Sequence, residues 1–258
     1  QGRLYDNNAP AYLRTHPLTH ERIADMQNRL EDMPYRQHPD SPEFILVRAR
    51  VQSAEGEPKD AVTVFEARVR ENPSPASWYG LLQASLRVGN TARAAQCLAR
   101  LDGAVAKSPL VAVARVELAL AEGRAAEAVE LSRSGLARHT GYRPLAYLHA
   151  ASLLRVGKAG DALKFLDDQQ RTWPSDGHFQ MLKAEAHNAL GQVAESHLAQ
   201  AEAYVLADRI AAAIEQLQMA QRAGKADFYT LSIIDARLRD LRERQRRESA
   251  SDVGGNAK

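Results

Sequence analysis

Cysteine, aromatic residues and long apolar runs are scarce in this chain of 258 residues. Its single cysteine, Cys97, excludes a disulfide framework within the chain and a zinc site built from cysteines. No apolar stretch approaches the roughly 18 residues that a membrane-spanning helix requires. Aromatic residues make up only 6% of the sequence, and alanine and leucine dominate the apolar residues instead.

Neither sign of charge is in excess, because 34 basic residues face 32 acidic ones and leave a formal net charge of +2. This balance argues against a chain built mainly to coat nucleic acid, for which a strong basic excess is expected. Hydrophobic residues at 45% and charged residues at 26% are ordinary for a globular protein. The composition therefore predicts a folded protein whose partners are not nucleic acids.

Five glycines recur at a nearly constant interval. Gly56, Gly89, Gly123, Gly157 and Gly191 are separated by 33, 34, 34 and 34 residues. A small residue follows each of them after five positions, alanine in the first four cases and serine in the last. A period of 34 is the length of the tetratricopeptide repeat (TPR), a helix–turn–helix unit. The alternative, an irregular all-α bundle, leaves the constant period unexplained.

Small residues and prolines support the same interpretation. If Ala61 is taken as repeat position 20, Ala150 and Ala162 of the fourth unit fall at positions 8 and 20, where the two helices of a unit approach closely. Pro73 and Pro174 fall at position 32, where a proline ends the second helix. The sequence thus predicts an all-α fold, a right-handed superhelical TPR solenoid of antiparallel helix pairs.

The repeat period also divides the chain. It is absent from residues 1–40 and predicts an array over 41–247, with about five to six repeats and a terminal helix. Residues 248–258 have the composition of a disordered tail. Within the array the phase changes at 193–206, which fits both as the second helix of one pair and as the first helix of a pair with 209–222.

Two histidines near the start are the strongest candidates for chemistry. His20-Glu21 begins like HExxH, in which two histidines one helical turn apart bind zinc, but Ala24 stands where the second histidine is needed. His16 lies before a rigid proline, either bonded to the backbone or available as an oriented ligand or proton carrier. Because no ligand set is complete, we expect this chain to have no catalytic residues, metal or cofactor of its own.

Two segments resemble a known family. YLRTHPLTHERIADMQNRL resembles the segment that closes the peptidase domain of HExxH zinc metallopeptidases of the BepA (YfgC) type, and DFYTLSIIDARLRDL resembles the end of those proteins. The resemblance implies that residues 1–40 are the tail of a peptidase domain whose zinc-binding part belongs to a longer parent. It further implies a periplasmic location and a role in outer-membrane protein assembly and quality control. In that parent, His16 would be a zinc ligand or a latch.

The concave face of a TPR stack is lined by the first helix of each unit, chiefly at positions 2, 5, 9, 12 and 13. Tyrosine and arginine at such positions suit an extended peptide or a partner segment, because both are favoured anchors of protein interfaces. The predicted partner-binding groove consists of Leu46, Arg50, Tyr79, Gln83, Arg87, Tyr147, Arg155 and Met181.

These features predict a module that recruits substrates or partners for a periplasmic zinc metallopeptidase. The expected partners are proteins or extended peptides, including outer-membrane proteins or their assembly machinery, and the module's own peptidase domain. The alternative is a free-standing TPR adaptor with no link to a peptidase, which would leave THPLTHERI unexplained.

Overall fold

The structure, a computed structural model, describes residues 40–101, 103, 105–224 and 226–255, of which 249–255 by the backbone alone. The predictions for His16, His20 and the rest of 1–39 lie outside these residues. A compact unit begins at Ser41. Its helices are α1 (Pro42–Ala54), α2 (Pro58–Glu71), α3 (Pro75–Arg87), α4 (Thr91–Leu98), α5 (Pro109–Ala121), α6 (Ala125–Arg138), α7 (Arg143–Arg155), α8 (Ala159–Thr172), α9 (Gly177–Ala189), α10 (Val193–Leu206), α11 (Ile210–Arg222) and α12 (Phe228–Gly255).

A repeated Ser-Pro pair starts the first helix of the first three units. Ser41, Ser74 and Ser108 each occupy the N-cap, and each side chain accepts a hydrogen bond from a backbone N–H in the first turn. The following proline fits the first helical position, where no N–H is needed. These caps fix the start of α1, α3 and α5 at the same place in each repeat.

A left-handed residue ends the first helix of each unit. Gly89, for example, has a φ of 74°, and the N–H after it bonds to the carbonyl of Ser85 at 2.9 Å. This is the Schellman arrangement, which favours glycine because a side chain is strained at positive φ. Asp208 takes the same conformation between α10 and α11, with a φ of 57°, and is the only such non-glycine residue in the described part of the chain.

The helices stack as a solenoid of antiparallel pairs, which confirms the predicted all-α architecture. The first helices of successive units, α1, α3, α5, α7 and α9, contact one another, whereas successive second helices share no comparable contact within the described residues. The first helices therefore line the inner, concave side. Ala150 and Ala162, predicted at the close approach within the fourth unit, are both fully buried.

The register changes at α10, as the sequence indicated. Helix α10 packs extensively against α9 and equally against α11, and it also contacts α12. The turn at Asp208 follows the turn at Gly191 after 17 residues, half a repeat. Helix α10 is thus the second helix of one pair and the first helix of the next.

Two helix ends differ from the sequence prediction. The repeat pattern predicts the second helix of the second unit over 91–102, but α4 ends at Leu98, and a short 3-10 turn at Val105–Lys107 follows Gly103, whose φ is 60°. The last helix continues to Gly255 rather than ending near 247, and an ion pair between Arg244 and Glu248 spans one turn across the expected end. None of the described helices is both long and apolar enough to cross a membrane.

Candidate partner-binding groove

The concave face carries side chains at repeat positions 5 and 9, one pair from each first helix. At position 9 of the first three units these are Arg50, Gln83 and Glu117, which are 33 and 34 residues apart. The first helices lie side by side, so residues one repeat apart become lateral neighbours across the face. The chemistry of the groove therefore depends on which side chains at the same repeat position meet across neighbouring first helices.

In the first three units the position-9 side chains bond to one another. Glu117 accepts two hydrogen bonds from the Arg50 guanidinium, at 2.7 and 3.3 Å, and one from Nε2 of Gln83 at 3.1 Å. Burial lowers the pKa of Arg50, but the hydrogen bond and charge of Glu117 more than offset it, so the pKa is raised overall. This triad, Arg50–Gln83–Glu117, spans three helices and closes the groove at this end.

Leu46 and Tyr79, predicted as groove residues at position 5, are fully buried, so neither side chain is presented to a partner. The hydroxyl of Tyr79 accepts a hydrogen bond from Arg50 at 3.4 Å and donates one to the carbonyl of Leu110 at 3.5 Å. Burial raises the pKa of Tyr79 to about 12, although the nearby Arg50 acts in the opposite direction. The prediction that Tyr79 is an exposed anchor is therefore wrong, because the triad lies over it.

Arg87 is exposed but is engaged in the fold. Its guanidinium donates to the carbonyl of Ser53 and, at 3.1 Å, to that of Gly56. Ser53 lies in the last turn of α1, where helix carbonyls have no partner within the helix, and Gly56 lies in the turn that follows. The residue predicted to bind a partner thus caps the neighbouring helix.

Tyr147 is half-buried and its hydroxyl is occupied. The hydroxyl donates to Asp176, which also pairs with Arg143 at 3.1 Å, and the ring lies 4.3 Å from His178 and 4.8 Å from Phe179 between ring centres. Burial and the hydrogen bond to Asp176 raise the pKa of Tyr147 to about 12. Only part of the ring remains for a partner.

The groove is open at its far end. Arg155 is exposed and has no hydrogen bond or ion pair in the described part of the chain, and Met181 is 39% exposed. Met181 borders a cavity of about 250 Å³ between α9 and α10. The other polar and apolar side chains around this cavity are Ala184, Glu185, Asn188, Val193, Ser196, His197 and Gln200.

Two amides and a histidine give this cavity its hydrogen-bonding capacity. Asn188 is exposed, Gln200 is half-buried, and His197 pairs through Nδ1 with Oε1 of Gln216 at 2.8 Å. Amide side chains both donate and accept, which matches the backbone of an extended peptide. The flexible thioether side chain of Met181 beside them can pack against apolar side chains of different shapes. Within the described residues, no group of three or more His, Cys, Asp or Glu side chains is arranged to hold a metal ion.

Curated proteins are similar to this chain over nearly its whole length. No family model matches the chain. The Beta-barrel assembly-enhancing proteases of Escherichia coli (strain K12) and Shigella flexneri are each 26% identical to it over 250 residues, 94% of this chain and 50% of theirs. The chain is a BepA-like TPR region. It spans about half the length of these curated relatives.

Solved structures are similar at lower identity. A thermophilic TPR protein from Thermus thermophilus is 19% identical, with a TM-score of 0.43 over 76% of this chain and 98% of that one. MamA from Desulfovibrio magneticus RS-1, from residue 41 to its end, is 20% identical, with a TM-score of 0.46 over 66% of this chain and 96% of that one.

The α10 side of the groove in this BepA-like TPR region lies outside the residues predicted from the sequence. His197 and Gln200 are absent from the predicted groove, because the repeat pattern indicates how 193–206 pairs but not which face it presents. The half-repeat spacing from Gly191 to Asp208 was the available signal. It marks α10 as a helix that also serves as the first of a pair, and first helices line the groove.

Proposed function

We propose that this BepA-like TPR region recruits unfolded or extended protein segments for a periplasmic zinc metallopeptidase concerned with outer-membrane protein assembly. The fold and the similarity to the assembly-enhancing proteases support a protein-interaction module. The peptidase link, the compartment and the outer-membrane partners are part of the proposal. No zinc-binding role is assigned to the described residues, which offer no ligand set.

The observation that carries the proposal is the contrast between the two ends of the concave face. The triad and the buried Tyr79 fill the groove in the first three units. From α7 onward the face offers the uncommitted Arg155, the exposed Met181 and the cavity lined by amides. A partner therefore binds across α7, α9 and α10.

The chemistry of this half favours an extended segment over a helix or a free carboxylate. Asn188 and Gln200 can bond to peptide N–H and C=O groups, which only an extended chain leaves open. Glu185 lies beside them, and its negative charge repels a terminal carboxylate. Unfolded strands of an outer-membrane β-barrel, along which polar and apolar residues alternate, meet these requirements.

A peptide-binding measurement tests this site. The probe is a fluorescently labelled synthetic peptide of one β-barrel strand, and binding to the full chain is followed by anisotropy. Arg155→Ala with Met181→Ala should weaken binding about tenfold, the effect expected when interface anchors are truncated. Circular dichroism should show unchanged helix content, because both side chains are exposed.

The matched control is Arg133→Ala with Met219→Ala. Arg133 is exposed on α6, and Met219 is 46% exposed on α11, so the control removes the same side-chain types elsewhere on the array. Equal weakening by the two double variants, or no weakening by either, would move the binding site away from this half of the groove.

The link to a peptidase needs a separate test. The reading frame upstream of the codon for Gln1 should encode an HExxH helix if the parent is a metallopeptidase. A frame that encodes no such helix would favour the free-standing adaptor and leave the peptide-binding result unaffected.

A further inference from the structure

A second cavity lies away from the groove, between α5, the turn at Val105–Lys107 and the end of α6. Its volume is about 370 Å³. Two alanines, Ala106 and Ala112, supply its small apolar lining. The remaining lining residues are Lys107, Arg115, Arg138 and His139, so every ionisable side chain at this cavity is a base.

Arg115 is the unusual member of this set. It occupies repeat position 7, where the equivalent residues of the later units have partners. Lys183 pairs with Asp167 at 2.9 Å and donates to Gln170 at 3.0 Å, and Nδ1 of His149 lies 2.9 Å from the Ser132 hydroxyl. Arg115 is half-buried and has no hydrogen bond or ion pair in the described part of the chain.

The other cations at the cavity also have few hydrogen-bonding partners. Among the described residues, Lys107 has no partner, and Arg138 donates to the carbonyl and hydroxyl oxygens of Ser134 on its own helix, at 3.2 and 3.5 Å. Like charges gathered without a carboxylate repel one another, and a bound anion removes that repulsion. Among the described residues no acidic side chain lines this cavity.

The cavity is separate from the groove. Arg115 and the groove residue Glu117 are two positions apart on α5, which places them about 200° apart around the helix. A ligand at Arg115 therefore approaches from the opposite side of α5.

We propose that this cavity binds acidic side chains of a polypeptide partner, at a second contact outside the groove. A glutamate can lay its methylene groups on Ala106 and Ala112 while its carboxylate accepts paired hydrogen bonds from an arginine. A phosphate group fits less well, because the helix end at this place is the C-terminus of α6, whose partial negative charge opposes a dianion. The nearby N-terminus of α5 is already capped by Ser108.

Binding of a fluorescein-labelled hexaglutamate peptide to the full chain tests the assignment. At about 50 mM salt, where surface charges are weakly screened, the peptide should bind the unmodified chain. Arg115→Gln with Arg138→Gln should weaken binding about tenfold, since two charged donors are lost. Arg133→Gln with Arg222→Gln removes the same net charge at two exposed arginines away from this cavity and should weaken binding no more than about twofold.

Three results would overturn the proposal. The first is an equal loss in both double variants, which would mean general attraction by the surface. The second is displacement of the peptide by inorganic phosphate more strongly than by chloride at equal ionic strength, which would indicate a phosphate site. The third is unchanged binding in Lys107→Gln with Arg138→Gln. Both side chains are exposed, so this double variant leaves the core intact, and it should also weaken peptide binding several-fold.

Discussion

Glu117 is predicted to hold the first three units of the array together. Glu117→Gln keeps the shape of the side chain but removes the charge and one acceptor oxygen. The new amide nitrogen must then face the guanidinium of Arg50 or Nε2 of Gln83, both of which are donors. The variant therefore loses a charge-assisted hydrogen bond and gains a contact between two donors.

The size of the effect follows from the exposure of the pair. The side chains of Arg50 and Glu117 are 39% and 22% exposed, so the pair is neither fully buried nor free in solvent. Breaking a buried pair costs roughly 3–5 kcal/mol and an exposed one at most about 1 kcal/mol. We expect a loss of about 2 kcal/mol, which for an array of this length lowers the melting temperature by about 4–8 °C.

Urea unfolding followed by circular dichroism measures this loss, and hydrogen exchange locates it. Protection should fall in α1, α3 and α5 more than in α9 to α11, because repeat arrays are stabilised by neighbouring units. Glu130→Gln is the control, since Glu130 and Arg133 form a pair in which both side chains are more than 60% exposed. A change in stability below about 0.5 kcal/mol for Glu117→Gln would refute the role of the triad.

Three further predictions concern packing, pH and activity. Ala162→Leu should cost about 1–3 kcal/mol, since Ala162 is fully buried, and an unchanged melting temperature would show that the repeat register is wrong. Burial lowers the pKa of His149, so the stability that its neutral form contributes is complete above about pH 6.5 and is lost as the pH falls through the lowered folded value. His149→Gln should flatten this acid limb in pH-dependent urea titrations. The purified chain with unfolded casein and added zinc should release no fragments, and chelator-sensitive cleavage would contradict the expectation that this chain has no catalytic site of its own.

The repeat architecture could be predicted because it depends on local backbone requirements. A left-handed turn every 34 residues needs glycine, and a close helix approach needs alanine, so both leave a periodic record in the sequence. The end of α4 at Leu98 could not be predicted in this way, because Gly103, which follows it, does not belong to the series of glycines spaced by one repeat.

The groove could be predicted only in part, because its surface depends on residues in different units. Tyr79 and Tyr147 hold the same repeat position, yet one is fully buried and the other half-buried. The difference lies in their neighbours: Arg50 and Glu117 meet over Tyr79, whereas position 9 of the fourth unit is Ala151, which cannot form such a bridge. Repeat position gives the direction of a side chain but not what covers it.

The opening at the far end of the groove has its origin in the change of register. Each of α1, α3, α5 and α7 packs beside the helix that begins one full repeat later, but within the described residues the helix one repeat after α9, which is α11, contacts α10 and makes no comparable contact with α9. The inner face of α9, with Met181, Glu185 and Asn188, is therefore left without its usual neighbour. The half-repeat step that ends at Asp208 thus creates the cavity, and the most open part of the groove lies where the repeat period breaks.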